Sequence, residues 1–226
     1  MISVVIPVLN QLFLTSNLLK YISENTVKPA KIFLIDNNSS EDIKSAVDCY
    51  KDLNIVYIKQ RKNYGVNAAW NIGIQFSEEG IISFLNNDII IPKFFFEYIE
   101  ELMTKNPKVG ICVPTTVKDK SSVLTIDSYS DIRTSPLGKR EGWAFTMRTS
   151  LARVCFPIPK ELKFFFGDDY LFGRTLEMGY TVVKMENNPI YHYGSVTLSE
   201  EIGDSKTLEL LKDERKVWEE IKLTKK

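Results

Sequence analysis

The first 92 residues of the chain alternate short apolar segments with predicted helices. The apolar segments are rich in the β-branched and aromatic residues that favour strands, and they span residues 2–8, 31–35, 54–59 and 81–85. Between them, helical spacing of apolar residues, acidic helix starts and short connections predict helices over residues 14–22, 40–50 and 66–76. This order predicts an α/β fold with a mostly parallel central sheet, right-handed crossovers and flanking helices.

Two of these predicted strands end in loops rich in Asn and Asp. One loop begins with Asp36, and the other contains Asn86, Asn87 and Asp88 before a second apolar run over residues 89–91. The carboxyl ends of parallel strands meet at one edge of a sheet, where ligands bind in open α/β folds. Hard cations bind oxygen ligands, which come partly from protein carboxylates and partly from substrate phosphates. Asp88 is therefore a candidate ligand for such an ion. The alternative is a plain turn, in which Asn and Asp are common.

The second half of the chain has a less regular pattern. Helices are predicted over residues 94–105, 170–178 and 205–221, and strands over 109–114, 142–147, 182–185 and 190–193. The polar segment 118–140 predicts hairpins or a mobile loop. The amphipathic C-terminal helix has three possible roles, which are packing on the domain, closing a binding site and dimerisation.

Composition excludes several classes of protein. Lys plus Arg equals Asp plus Glu, both 29, so no global field attracts nucleic acid or an anionic membrane. Three widely spaced cysteines without a CxxC pair argue against a disulfide framework or a zinc site. No apolar run approaches the ~20 residues that span a bilayer, and the first residues lack the basic flank of a signal peptide. We therefore expect a soluble, cytoplasmic protein, with a peripheral position at the inner face of a membrane as the alternative.

Seven short motifs follow one another along most of the chain. They are SVVIPVLN, FLIDNNSSED, NYGVNAAWNIGI, FLNNDIIIP, GWAFTMRTS, GDDYLFGRTLEMGY and HYGS. In this order they resemble the family 2 glycosyltransferases of the GT-A type, over about residues 2–196. The resemblance implies a single Rossmann-like GT-A domain over 1–204, with a nucleotide-sugar half (1–92) and an acceptor half (93–204). The C-terminal helix or tail, 205–226, lies outside it.

The resemblance implies that the first loops hold the nucleotide of a sugar donor. The residues that it assigns to the donor are Pro7, Leu9, Asp36, Asn38, Asn63, Asn67, Asn86, Asn87 and Asp88. The carboxylate of Asp36 would accept a hydrogen bond from a ring N–H of the base, a charge-assisted and therefore strong bond. An Asx turn beside a helix is the alternative for Asp36. The donor would be linked to UDP, dTDP or GDP, and the LNND form is similar to that of rhamnosyltransferase-like members.

The same resemblance implies a divalent cation, Mn²⁺ or Mg²⁺. The family's Asp-X-Asp triplet lines up with residues 86–88, where Asn86 replaces the first acid and Asp88 carries the metal. His192, the only histidine of the chain, lies in the HYGS motif where members often place a second ligand. Neutral imidazole suits manganese or a similar ion. A purely structural role is the alternative for a single histidine.

The resemblance also implies a general base. The family's Glu-Asp pair matches Asp168 and Asp169, of which Asp169 takes the position of the base and Asp168 replaces the Glu. Inverting sugar transfer needs a carboxylate that removes the proton of the acceptor hydroxyl. The alternative is that one of the two acids caps the helix that follows. Trp143 would stack on a sugar or lie in the core, and Arg174 would pair with a phosphate or with these acids.

The resemblance thus implies a glycosyltransferase that acts on a glycan, a lipid-linked glycan or another hydroxyl acceptor. Members of this family commonly act in polysaccharide biosynthesis, so we expect that role here. One rival is a catalytically degenerate nucleotide-sugar or glycan binder of the same fold. Another is a nucleotidyltransferase, which would need a glycine-rich and basic phosphate loop near the amino terminus. The segment VIPVLNQLFL has none. The sequence leaves the oligomeric state open.

Overall fold

The computed structural model describes residues 1–126, 128–129, 131–138, 142–194 and 203–224. Its strands are β1 (Ile2–Val8), β2 (Lys31–Asp36), β3 (Ile55–Lys59), β4 (Ile81–Leu85), β5 (Ile89–Ile90), β6 (Val109–Val117), β7 (Thr134–Pro136), β8 (Ala144–Arg148) and β9 (Thr181–His192). Its helices are α1 (Leu12–Ser23), α2 (Ile43–Cys49), α3 (Val66–Phe76), α4 (Phe95–Lys105), α5 (Ser121–Leu124), α6 (Thr149–Cys155), α7 (Gly167–Glu177) and α8 (Asp204–Leu223).

All these strands belong to one sheet, in the order β3-β2-β1-β4-β8-β6-β9-β5, with β7 also paired to β9. The α/β class is confirmed, and the first four strands are parallel as predicted. The second half is mixed, because β8 runs antiparallel to β4 and β6 while β9 runs parallel to β6. Antiparallel neighbours need no helical crossover, so the βαβ pattern of the first half does not extend to them.

Two apolar cores cover the two faces of the sheet. The core on one face contains residues of α1, α2 and α4, and the core on the other contains residues of α3, α6 and α7. Every residue of β1 and of β4 is buried, as expected for strands with helices on both faces. The faces of β1 and β4 are therefore covered, and the carboxyl ends of these two strands contribute to the candidate site described below.

The predicted strands 182–185 and 190–193 are one continuous strand, β9. Between Pro114 and Thr115 of β6 the pairing partner on β9 jumps from Met185 to Pro189. The extra residues of β9 therefore form a bulge, which admits a proline without ending the strand. The hydroxyl of Tyr98 on α4 lies 2.5 Å from Asn187 Oδ1 in that bulge.

Helix α7 begins at Gly167, earlier than predicted. Phe166 is its N-cap residue, with a left-handed backbone at φ 59° and no side-chain cap bond. The interpretation of Asp168 or Asp169 as the N-cap is therefore wrong, because both lie inside the first turn. The sequence analysis also missed α6, a short helix directly after β8.

Helix α8 packs on the domain, which was one of the three roles left open for it. Val217, Trp218 and Ile221 pack against the core that contains α3 and α7. Leu208, near the start of the same helix, is 57% exposed. None of the described helices is both long and apolar enough to cross a membrane.

Candidate active site

A cleft of about 380 Å³ opens at the carboxyl ends of β1 and β4. This volume lies within the range of small-molecule sites, roughly 300–1,000 Å³. Its walls come from the end of β1, the loop after β4, the start of α3, the turn 164–166, the first turn of α7 and the end of β9. The position agrees with the expectation that polar strand ends meet over one crevice of the sheet.

Asp88 and His192 face each other in this cleft. Strand β5 starts directly after Asp88 and pairs antiparallel with β9, so that Ile89 lies opposite His192. The Nε2 atom of His192 is 3.2 Å from Asp88 Oδ2, with side-chain exposures of 8% and 5%. In the described part of the chain, neither Asp88 Oδ1 nor His192 Nε2 has a hydrogen bond of good geometry. A buried carboxylate with one oxygen free of hydrogen bonds among the described residues, next to an imidazole nitrogen, fits a cation that both side chains ligate.

Trp143 holds the imidazole of His192 in place. The two rings are stacked, with centroids 4.6 Å apart and an interplanar angle of 10°. The indole Nε1–H donates to Thr116 Oγ1 at 2.9 Å, which fixes the indole on β6. Trp143 also lines the cleft. Its position therefore combines features of the two predicted alternatives, stacking on a sugar and packing in the core.

Asp168 and Asp169 line the cleft from the first turn of α7. The positive end of a helix dipole favours carboxylates at this position. The backbone of Gly142 lies so close that a Cβ there would be 2.7 Å from Asp168 Oδ2. The close approach explains why glycine precedes Trp143 in the chain.

The loop after β1 and the loop after β2 are joined by hydrogen bonds. Asn10 donates its backbone N–H to Ser39 Oγ at 2.8 Å, and its side-chain Oδ1 accepts the N–H of Ser40 at 2.8 Å. The N–H of Leu12 donates to Glu41 Oε2 at 2.5 Å. These bonds fix the backbone beside Pro7 and Leu9, which line the cleft as predicted.

Asp36 supports these loops from below the cleft. Its side chain is 0% exposed. Its carboxylate accepts the N–H of Ser39 at 2.7 Å and the hydroxyl of Tyr57 at 2.5 Å, and it lies 3.7 Å from Lys59 Nζ. Burial, reinforced by the bond to Asp36, raises the pKa of Tyr57 well above its usual value. Asp36 does not line the cleft, so its predicted direct bond to a base would require this buried carboxylate to become accessible from the cleft.

The other predicted donor residues differ in position. Asn63, Asn67, Asn86 and Asn87 line the cleft, whereas Asn38 is exposed outside it at φ 73°. Asn63 Oδ1 accepts the Gly65 N–H at 2.9 Å, and Asn87 Nδ2 donates to Thr15 Oγ1 at 3.0 Å. The amide of Asn67 donates to two backbone carbonyls of the 162–165 segment. Several of these amides therefore build the walls of the site.

Arg174 requires a correction. It does not line the cleft, and its guanidinium donates to Glu177 Oε2 at 2.9 Å, one turn further along α7. The five-residue separation from Asp169 directs the two side chains away from each other on the helix. The predicted pairing of Arg174 with the acids is therefore not observed.

Several residues of the cleft lie outside the predicted set. Asn37 is buried, lines the cleft and has an Oδ1 atom without a partner among the described residues. Its position beside Asp36 in the polar loop was the available signal. Phe164, Phe165 and Leu211 also form walls. Leu211 comes from α8, and no sequence motif connects that helix with the site.

The cleft is acidic despite the neutral chain. Its lining includes the carboxylates of Asp88, Asp168 and Asp169, and no Lys or Arg among the residues that the structure describes. A phosphate group would meet electrostatic repulsion here without a compensating cation.

The model of the family Glycosyl transferase family 2 matches residues 3–156. An uncharacterized glycosyltransferase of Rickettsia conorii is 35% identical over 106 residues, which are 46% of this chain and 17% of that protein. The UDP-Gal:alpha-D-GlcNAc-diphosphoundecaprenol beta-1,3-galactosyltransferase of Escherichia coli is 34% identical over 98 residues, 42% of this chain and 36% of that protein. The matched segment is thus well under half of either relative.

Solved structures confirm the GT-A fold. Residues 1–349 of TarS from S. aureus, in complex with UDP, superpose with a TM-score of 0.68 at 14% identity, covering 84% of this chain and 59% of that one. A mannosyltransferase from Pyrobaculum calidifontis in complex with GDP-Man and Mn²⁺ gives 0.65 at 16% identity, covering 84% and 56%. The family match extends over more than half of the chain, in the order of motifs and strands described above. The chain therefore belongs to glycosyl transferase family 2.

Proposed function

We propose that the chain transfers a sugar from a nucleotide-diphosphate sugar to an acceptor hydroxyl, with inversion at the anomeric carbon. The observation that carries this proposal is that two pairs of ionisable side chains lie around one cleft. Asp88 with His192 lies at the end of β4 and β9, and Asp168 with Asp169 lies at the start of α7. The first pair is suited to the leaving diphosphate and the second to the acceptor.

The acceptor oxygen forms the new bond to the anomeric carbon, and its proton moves to the carboxylate of Asp169. The bond between that carbon and the diphosphate oxygen breaks, and the electron pair leaves with the nucleoside diphosphate. Such a displacement has an oxocarbenium-like transition state. The first turn of α7 gives the carboxylate of Asp169 a fixed position on the wall of the cleft, as a base must have.

We further propose that Asp88 and His192 hold a divalent cation, Mn²⁺ or Mg²⁺. The proximity of the two buried side chains supports it, together with the Oδ1 atom of Asp88, which has no hydrogen bond among the described residues. No group of three or more His, Cys, Asp or Glu side chains suited to a metal occurs among the described residues. Two protein ligands with substrate phosphates completing the shell is a usual arrangement for such ions. When bound, the cation supplies positive charge to the leaving diphosphate.

The nucleotide would lie against Pro7, Leu9 and Asn37, with Asp36 fixing the loop beneath it. The donors to be distinguished are UDP-, dTDP- and GDP-linked sugars. A lipid-linked glycan is the acceptor class that we favour, because the E. coli relative is named for a diphosphoundecaprenol-linked acceptor. The match to that protein is partial, so the acceptor needs its own test.

Donor hydrolysis tests this function without an acceptor. The purified chain is incubated with each donor sugar and Mn²⁺, Mg²⁺ or EDTA, and release of nucleoside diphosphate is measured. We expect metal-dependent release from one donor. Asp169→Asn should lower turnover by about 10²- to 10⁴-fold and leave nucleoside diphosphate affinity unchanged. Unchanged turnover in Asp169→Asn would remove this residue as the base.

The rival candidate is a nucleotide-sugar binder that lost turnover when Asn86 replaced the family's first metal acid, and the retained Asp88, Asp169 and His192 argue against it. Both candidates predict that a nucleoside diphosphate raises the melting temperature. Only the enzyme releases product, so a thermal shift with no release from any donor would support the binder. Absence of both responses would contradict both functions.

A further inference from the structure

The buried carboxylate of Glu214 in α8 binds the backbone of the turn that precedes α7. Glu214 is 6% exposed. Its Oε2 atom accepts the backbone N–H groups of Lys163 at 3.0 Å, Phe164 at 3.1 Å and Phe165 at 2.9 Å. One acidic side chain therefore satisfies three consecutive backbone donors, and hydrogen bonds to an ionised acceptor are the strong ones.

The carbonyl groups of the same turn are bound by α3. Asn67 Nδ2 donates to the carbonyl oxygens of Leu162 and Phe165, both at 3.1 Å. The backbone N–H of Asn67 donates to the Lys163 carbonyl at 3.1 Å. Gly65 permits this approach, because it has φ +91° and a Cβ there would lie 2.3 Å from that oxygen. The turn is thus held on one side by α3 and on the other by α8.

The turn determines where α7 begins. Phe166 follows it in the left-handed conformation, which is disfavoured for a bulky residue and persists only when its surroundings impose it. The ring of Phe166 is stacked on Trp218 of α8, with centroids 6.2 Å apart and an interplanar angle of 12°. Two and three residues after Phe166 come Asp168 and Asp169. A shift of the turn would therefore move both acids relative to the cleft.

We propose that Glu214 is a positioning residue, which acts through the 163–165 backbone to fix Asp168 and Asp169 for sugar transfer. The proposal rests on the function proposed above. It makes α8, which lies outside the segment matched by the family, a part of the catalytic architecture. Leu211, one turn before Glu214, lines the same cleft and supports this assignment.

The competing explanation is that Glu214 only stabilises the fold. In that case its loss would lower the melting temperature but leave turnover unchanged at temperatures where the variant is folded. A positioning role predicts a loss of kcat with little change in nucleotide affinity, because Asp88 and His192 lie on other elements. The two explanations therefore differ in kinetics measured well below the melting temperature.

The test compares Glu214→Ala and Glu214→Gln with two control variants, Glu209→Ala and Glu209→Gln. Glu209 is an exposed acid of the same helix. Three quantities are measured for each variant. They are kcat for the donor that the wild type hydrolyses, Kd for UDP with Mn²⁺, and hydrogen exchange of the backbone amides of residues 163–169.

In Glu214→Ala we expect faster exchange at residues 163–165, a fall in kcat of about 10- to 100-fold, and a UDP Kd within about threefold of the wild-type value. Glu214→Gln should recover part of the loss, because its amide oxygen in the Oε2 position can still accept two of the three N–H groups. Both Glu209 variants should match the wild type.

Unchanged kcat in folded Glu214→Ala, or unchanged exchange at 163–165, would overturn the proposal. If Glu214→Ala does not fold, Glu214→Gln decides: wild-type kcat together with wild-type exchange at residues 163–165 in this variant would overturn the proposal. If the wild type itself hydrolyses no donor, the proposed function fails, and the exchange of residues 163–169 still decides whether Glu214 holds the turn.

Discussion

Some residues of the cleft are held in position by neighbours that have no proposed role in catalysis or metal binding. His192 is the clearest case, because its imidazole lies between the carboxylate of Asp88 and the ring of Trp143. Sequence motifs predicted both Asp88 and His192. They could not show the stacking of Trp143 on His192, since this contact depends on the placement of β8 and β9 on either side of β6.

Replacing Trp143 by Ala should weaken Mn²⁺ binding in the presence of UDP by about tenfold or more, because the imidazole gains rotational freedom. Trp143→Phe keeps a stacked ring and should retain most of the affinity, although it loses the bond to Thr116. Titration calorimetry measures both. On a His192→Ala background, Trp143→Ala should have no further effect on Mn²⁺ affinity; an equal loss on that background would show that Trp143 does not act through His192.

At the scale of elements, the predictable part of the fold is the part with local signals. The strands β1, β2, β3 and β4 and the helices between them follow from uninterrupted apolar runs and short connections. The single long β9 did not follow, because a proline beside two asparagines indicates a break unless a bulge at that point of the strand is known. The start of α7 at Gly167 was missed for a similar reason, since its N-cap is a phenylalanine without a capping side chain.

Tyr98 provides a test of the β9 bulge. Its hydroxyl accepts the backbone N–H of Arg133 at 2.9 Å and donates to Asn187 Oδ1. Tyr98→Phe leaves both partners without this bond and should lower the free energy of unfolding by about 1–2 kcal/mol, measured by urea denaturation. Phe95, in the same helix, also packs in the core but donates no side-chain hydrogen bond, so Phe95→Leu serves as a control for packing alone. Equal stability of Tyr98→Phe and the wild type would contradict this role.

The same residue predicts a pH dependence. Burial raises the pKa of Tyr98 to about 12 from its ordinary value of 10.0. The unfolded chain therefore releases this proton at lower pH than the folded chain, so the stability contributed by neutral Tyr98 is complete below pH 10 and declines between pH 10 and 12. The decline in the free energy of unfolding over that interval should be smaller in Tyr98→Phe than in the wild type.

The whole molecule combines a neutral chain with an acidic cleft. The 29 basic and 29 acidic residues balance, yet the described lining of the cleft carries carboxylates and no Lys or Arg. Composition alone could not reveal this separation of charge, because it depends on which strand ends and helix starts converge. The sequence motifs predicted all three acids of the described lining, whereas the wall formed by α8 required the three-dimensional structure.

A nucleoside diphosphate and a divalent cation should therefore stabilise the protein only together. At a nucleotide concentration 100 times Kd, binding to the folded state adds about 2.7 kcal/mol, which for a chain of this size corresponds to roughly 5–10 °C in melting temperature. Differential scanning fluorimetry with UDP, dTDP and GDP, each with Mn²⁺ or EDTA, measures the shift. A shift of the same size in EDTA, or in Asp88→Ala with Mn²⁺, would contradict the role of the cation.

The pairing of β5 with β9 comprises only two residue pairs, Ile89 with His192 and Ile90 with Tyr191. A ribbon this short contributes little free energy of its own, and the chain between its two strands is long. A ligand that bridges Asp88 and His192 would act as a reversible cross-link, closing a loop that contains the whole second half of the sheet. Removing it should loosen this edge of the sheet first, so that exchange of the Tyr193 amide, bonded to the Asp88 carbonyl at 3.0 Å, would report occupancy of the site.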